Sequence, residues 1–193
     1  MVGTMTLESA TGFDESVISW IGAGRPPIYF GFGSMPVDRP TETVAMIANV
    51  CRELSERALI CSGVLRLEDT VPTQDVMIVP ATNHAAVLPR CRAIVHHGGS
   101  GTTAASVRSG VPTLVLWIGA DQPVWATRIR RLGIGTSRRF SATTQATLGH
   151  DPRTVLEPGC ATRAREVADQ MTPPSRSLAA TVGLLEELAA TRA

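Results

Sequence analysis

The residues best suited to chemistry run Ile94-Val95-His96-His97-Gly98-Gly99-Ser100-Gly101-Thr102-Thr103, an apolar stretch that breaks into two imidazoles and a turn rich in glycine and hydroxyls. Taken as a strand end, a tight loop and a helix start, this is an anion site. The unpaired N–H groups of a first helical turn and the positive end of the helix dipole both face whatever sits in the loop. A phosphate is the first ligand to consider. A second group, Asp121-Gln122, stands where another helix begins, and a carboxylate beside an amide suits the hydroxyls of a sugar. A third, Gly33-Ser34, follows an apolar run. Brought together, the three would hold a phosphorylated sugar.

Several better-known phosphate and hydrolase motifs do not fit. Gly31-Phe32-Gly33-Ser34-Met35-Pro36 carries two of the three glycines of a dinucleotide fingerprint, but Pro36 stands in for the third, and no acidic residue follows a second strand at the usual offset. The glycine loop has no lysine, which removes the P-loop, and Gly98-Gly99-Ser100-Gly101 lacks the Gly-x-Ser-x-Gly spacing of a serine hydrolase elbow. Eighteen basic against 17 acidic residues give a net charge of +1, so nothing in the charge balance attracts nucleic acid or an anionic membrane. Cys51, Cys61, Cys91 and Cys160 form no C-x-x-C pair and no cluster with histidine. Reduced thiols are expected, rather than a zinc site or a disulfide framework. No apolar run approaches the roughly 20 residues that span a bilayer, so a cytoplasmic protein without a transmembrane segment is expected.

The elements that must position these groups alternate. Residues 1–12 lack periodicity and read as a linker or an artificial start, with the folded domain expected over 13–193. A short helix carries Val17, Ile18 and Ile21. Strands are expected at 28–35, 59–61, 75–79, 93–95 and 113–117, and helices at 41–57, 102–109 and 122–132, with one or two helical turns at 84–89. Nearly continuous apolar strands alternating with helices mean a parallel sheet covered on both faces: an α/β, Rossmann-like doubly wound fold. Its strand-end loops would meet in one crevice. Residues 140–157 show weak periodicity and promise a short element at best. Helices are expected at 163–171 and 178–190, the second with Leu178, Val182, Leu185 and Leu188 on one stripe that reads as a core face.

In this order, Gly31-Phe32-Gly33-Ser34-Met35, the His96 to Thr103 stretch, Gly110-Val111-Pro112, Asp121-Gln122-Pro123 and Trp125-Ala126 resemble the donor-binding, C-terminal half of GT-B glycosyltransferases. More narrowly, they are similar to the bacterial branch of the UDP-glycosyltransferase superfamily, which acts on sterols, glycopeptides, macrolides and glycopeptidolipids. The resemblance implies half of a GT-B fold and a nucleotide diphosphate sugar, UDP-linked or dTDP-linked, as substrate. It implies inverting transfer without metal or other cofactor, to a hydroxyl of a lipid, peptide or natural product. Carried over by position, Ser34, His96, Gly98, Gly99, Ser100, Gly101 and Thr102 would bind the diphosphate, and Asp121 and Gln122 the sugar. His97 falls at a variable position. Plant members carry a Trp and a Gln near the segment that here reads Val79-Pro80-Ala81-Thr82-Asn83-His84, and this chain has neither. Base contacts would then come from backbone near Val79 and Ala81, with His84 positioning the loop, which leaves uracil and thymine both open.

The family's general base lies in an N-terminal acceptor domain, so no catalytic residue is assigned here, and that domain is an expected partner. Two other readings are a non-catalytic nucleotide-sugar-binding module acting with a partner chain, and a GT-B-type epimerase, whose catalytic carboxylates have no obvious place. Location would be cytoplasmic or peripheral to a membrane. Trp117 and Trp125 read as packing residues, His150 as a surface residue, and Arg128, Arg130, Arg131, Arg138 and Arg139 mostly as a solvated face.

Overall fold

The computed structural model describes residues 14–35, 37, 39–63 and 73–191; the expected linker at 1–12 lies outside them. Short β-branched and aromatic runs become β1 (Ile28–Gly31), β2 (Ala58–Cys61), β3 (Val76–Val79) and β4 (Ala93–His96), followed by β5 (Thr113–Trp117) and β6 (Gly135–Arg139). They form one six-stranded sheet, parallel throughout, in the order β3-β2-β1-β4-β5-β6. The winding reverses between β1 and β4, where Gly31 pairs with His96 at the carboxyl ends of both strands. In doubly wound sheets that reversal opens the ligand crevice. The expected α/β doubly wound class is therefore what the chain adopts.

Strand alternation divides the core. Ile28 and Phe30 face one side, against Val44, Ile47 and Val50 of α2 (Pro40–Glu53) and Leu148 and Val155 of α6 (Gln145–Val155). Tyr29, Leu59 and Ile94 face the other, against Val17 and Ile21 of α1 (Asp14–Gly22), Val87 of α3 (His84–Val87) and Ala105 of α4 (Ser100–Arg108). Beyond β5, Val115 packs with Ala126 and Ile129 of α5 (Gln122–Leu132) and Ala164 and Val167 of α7 (Pro158–Asp169). Phe30 and Ile60 are wholly buried, which contributes about 2 kcal/mol each.

Two buried charges tie elements together. The Arg57 guanidinium donates to the carbonyls of Trp20, Ile21 and Arg25 at 2.7, 3.3 and 3.1 Å and stacks 3.6 Å from the Trp20 ring. It thus satisfies the open carbonyl end of α1, where a cation is also favoured by the helix dipole. Arg138 of β6 makes a bidentate pair with Asp151 of α6, at 2.6 and 2.8 Å. Arg138 accordingly departs from the expected solvated face, and the pairing raises its pKa further.

Three expectations change. A sixth strand exists at Gly135–Arg139, although its sequence GTSRR has no apolar alternation, because it pairs along the whole of β5. The weakly periodic 140–157 stretch holds a full helix, α6, started by a capping box between Thr144 and Thr147. The Leu178 stripe of α8 (Pro174–Ala190) is not a core face: Leu178, Leu185 and Leu188 are 55%, 61% and 57% exposed. Among the described residues of α8, Ser177 is the buried one.

Asp151→Ala leaves Arg138 facing a half-buried site without its counter-ion and should cost about 3 kcal/mol in urea unfolding. Leu185→Gln should change stability by less than about 0.5 kcal/mol, where a core leucine would cost several times more.

Candidate functional site

At the carboxyl edge of the sheet the loops approach one another so closely that side chains are excluded. Gly63, after β2, has φ +59°, and a Cβ there would stand 2.3 Å from the Gly33 carbonyl oxygen. Gly33, after β1, has φ +62°, and a Cβ there would meet the His97 ring at 2.7 Å. Gly99 faces the same ring from the other side, where a Cβ would come 2.5 Å from Nε2. His97 is thus held between the β1 loop and the glycine loop. Gly98, at φ +89°, turns the chain from β4 into α4 and leaves room for Val115 and Gln122.

The glycine loop feeds α4, whose N-cap is Gly99 and carries no side-chain cap. The Thr103 N–H and hydroxyl both donate to the Gly99 carbonyl, at 2.8 and 2.9 Å. Ser100 and Gly101 are exposed on the first turn, and Thr102 is half-buried. A helix start of this kind presents backbone donors to an anion.

The histidines are not equivalent. His96 is fully buried, and its Nδ1 accepts the Gly98 N–H at 2.9 Å. The imidazole proton therefore sits on Nε2, which has no hydrogen-bond partner among the described residues. Burial pushes its pKa down to about 3, with His97 and His84 adding to the effect, so the ring is a neutral donor. His97 is half-buried with an unpartnered Nδ1. Burial lowers its pKa, while the Gly31 carbonyl and the Asp121 carboxylate oppose that shift.

Asp121 and Gln122 stand at the start of α5. Asp121 is exposed, makes no helix-cap hydrogen bond, and instead accepts from Trp125 Nε1 at 2.7 Å. Gln122 Oε1 accepts the Ile118 and Gly119 N–H groups at 2.7 and 3.2 Å, which leaves its amide hydrogens on the Met35 side. That clamp closes a loop in which Ala120 adopts φ +54°, a conformation costly for a residue with a side chain. Trp125 therefore fixes Asp121.

The expected base-binding residues separate. Val79 is a core residue, and its carbonyl accepts the Ser62 N–H at 2.8 Å. Ala81 is exposed and His84 half-buried, and both line a cleft of about 250 Å³ with Gly31, Gly33, Cys61, Gly63 and Thr102. His84 Nε2 and Tyr29 Oη are hydrogen bonded at 3.0 Å, and a Cβ on Gly31 would stand 2.5 Å from the Tyr29 hydroxyl. Ser34 is exposed in the turn after β1. Of the expected residues, Ala81, His84 and Thr102 share the cleft, and His97 connects it through Gly33 to Gly99 and Asp121.

The sequence reading missed Gly63, Cys61 and Tyr29 in this cleft, and also Asp14. Asp14, at the start of α1, accepts the Asn83 N–H at 2.9 Å and the Thr82 hydroxyl at 3.3 Å, pinning the loop before His84. Only the glycine at 63, following a strand, carries a signal in sequence. A larger apolar groove of about 300 Å³ between α4, α5 and α7 gathers few polar groups. No cluster of histidine, cysteine and carboxylates able to hold a metal occurs among the described residues.

A doubly wound sheet with an uncapped helix start, a glycine loop and an acidic-amide pair at its switch point defines the class of fold, an α/β Rossmann-like domain that matches one half of GT-B glycosyltransferases. The family model described as "Erythromycin biosynthesis protein CIII-like, C-terminal domain" matches residues 42–182, and the chain belongs to that family. An uncharacterized glycosyltransferase of Mycobacterium leprae is 58% identical over 97% of this chain and 45% of its own length. A sterol 3-beta-glucosyltransferase of Arabidopsis thaliana is 35% identical over 71% of this chain and 22% of its own. The chain thus spans less than half of the curated relatives it matches. Among solved structures, the glycotransferase of kitacinnamycin superposes with a TM-score of 0.74 at 20% identity, covering 97% of this chain and 48% of that one. The glycosyltransferase VinC, solved in complex with dTDP, gives 0.67 at 22% identity, covering 85% and 42%. No helix among the described residues is long and apolar enough to cross a membrane.

The state of His96 has a pH signature. Its folded pKa of about 3 lies below the ordinary value of 6.5, so the stability it contributes is complete above pH 6.5 and is lost as pH falls toward 3. Denaturant unfolding between pH 7 and 4 should show that acid limb. His96→Asn, which keeps an acceptor for the Gly98 N–H, should flatten it.

Proposed function

We propose that this chain holds the donor in an inverting, metal-independent glycosyl transfer, binding a UDP-linked or dTDP-linked sugar while an N-terminal acceptor domain supplies the hydroxyl and its general base. The observation that carries this reading is the meeting at the β1/β4 reversal of an uncapped helix start with a buried, unpartnered imidazole donor at His96. A buried donor without a partner costs about 1–3 kcal/mol, which an oxyanion reaching it would recover.

The chemistry follows from where charge grows. As the anomeric bond breaks, negative charge accumulates on the departing diphosphate. The N–H groups of Gly99, Ser100, Gly101 and Thr102, the Thr102 hydroxyl and His96 Nε2–H would stabilise it more than they stabilise the ground state. Gly98 gives those donors their direction, and Ser34 would meet the diphosphate from the β1 side. In this reading the fixed dipoles take the place of a metal cation, and no cofactor is required. Asp121, oriented by Trp125, would accept from sugar hydroxyls, and the Gln122 amide would donate to them. The cleft along Ala81, His84 and Gly63 would take the nucleoside, with Val79 supporting Ala81 from the core.

Calorimetric titration with UDP and with dTDP, each with and without EDTA, tests the site. At least one nucleotide should bind, with EDTA making no difference, and His96→Ala should weaken it by about tenfold or more. Absence of binding by both, or an unchanged affinity in the variant, would overturn the assignment.

A further inference from the structure

The position after His96 is occupied by a second imidazole whose environment is built from both phosphate-facing loops. The His97 ring fills the space between Gly33 and Gly99, so neither glycine can carry a side chain without displacing it. Its Nδ1 is buried and unpartnered, and its Nε2 edge faces the N-cap of α4. Neutral His96 already supplies a fixed donor. His97 differs from it in being only half-buried, so its charge can change at modest desolvation cost.

Resting on the donor-binding reading above, we infer that His97 is the charge-adjusting residue of the leaving-group site: neutral in the free chain, it takes up a proton as a nucleotide diphosphate seats between the β1 loop and α4. Nucleotide binding is then linked to proton uptake, and the cation that results lies against the diphosphate. The groups that face it set the balance. From β4 there is His96, which stays neutral, and from α3 there is His84, which is half-buried and bonded to Tyr29. From α5 there is the Asp121 carboxylate, and the β1 loop contributes the Gly31 carbonyl. Burial holds His97 neutral in the free chain. A diphosphate carrying two charges reverses that sign, since one nearby anion already moves the ring toward its protonated form.

The direction is defined by linkage. A group whose pKa rises on binding makes affinity greatest below its free value and weakens it as pH rises through its bound value. The window opens below the ordinary histidine range, because burial depresses the free value.

The test is calorimetry with UDP-glucose and dTDP-glucose, whose doubly esterified diphosphates have no proton to lose near neutrality, in two buffers of different ionisation enthalpy. Wild type should take up roughly half a proton or more per nucleotide, with affinity falling by up to about tenfold per pH unit across the window. His97→Gln should abolish both the uptake and the pH slope and weaken binding about tenfold, while His84→Gln should keep the uptake. Uptake that persists in His97→Gln, or binding by wild type without uptake, overturns this inference and leaves the donor-binding reading standing. Failure of both donors to bind removes that reading, and this inference with it.

Discussion

The structure depends on one close approach: the backbone of the β1 loop runs against the backbone of the β2 loop, with the Gly33 carbonyl where a side chain of residue 63 would be. The two strand-end loops can lie this near only because residue 63 has no side chain, and Gly33 and Gly63 both turn through the left-handed region that glycine alone enters without penalty. Everything beyond follows from that contact. His97 occupies the gap on the far side of Gly33, the glycine loop closes on His97, and α4 begins where the loop ends. The donors of the site are therefore positioned by an absence of side chains rather than by a network of them.

Charges buried away from the site hold the frame. Arg57 closes α1 through the carbonyls of Trp20 and Ile21, with a third hydrogen bond to Arg25 beyond the helix, and α1 in turn presents Asp14 to the loop that carries His84. Arg138 and Asp151 join the last strand to α6. Each joins two elements through a group that would be costly if left unpaired. On the other side of the crevice, the Gln122 clamp and the Asp121–Trp125 hydrogen bond hold a loop strained at Ala120. Strain of that kind is retained where its surroundings leave no alternative.

Much of this was legible in the residues. Continuous apolar runs such as Leu59-Ile60-Cys61 and Thr113-Leu114-Val115-Leu116 mark buried parallel strands, and the step from His96 into glycines marks the crevice at the β1/β4 reversal. What escaped did so for physical reasons. β6 is polar because it lies at the sheet edge, so hydrophobic alternation could not reveal it. α6 was hidden by Gly149 and Pro152 inside it, and its capping box is built from two threonines rather than the usual acidic partner. The α8 stripe has the periodicity of a packed helix and is exposed, since periodicity reports an apolar face without saying what covers it. The roles of Asp14, Tyr29 and Gly63 depend on contacts across 69, 55 and 30 residues, and local pattern carries no record of such pairings.

The polar character that concealed β6 also has a colloidal meaning. An outermost strand offers a row of unpaired backbone groups on which another chain's strand could grow, and the sheet ends here on Gly-Thr-Ser-Arg-Arg. Arg138 is drawn into an ion pair, while Arg139 reaches toward the Trp117 ring, 5.8 Å away, at the exposed end of the strand. An incoming strand would have to desolvate that cation, or displace it, to continue the ladder. The sequence feature least like a strand thus opposes the addition of another strand beyond β6.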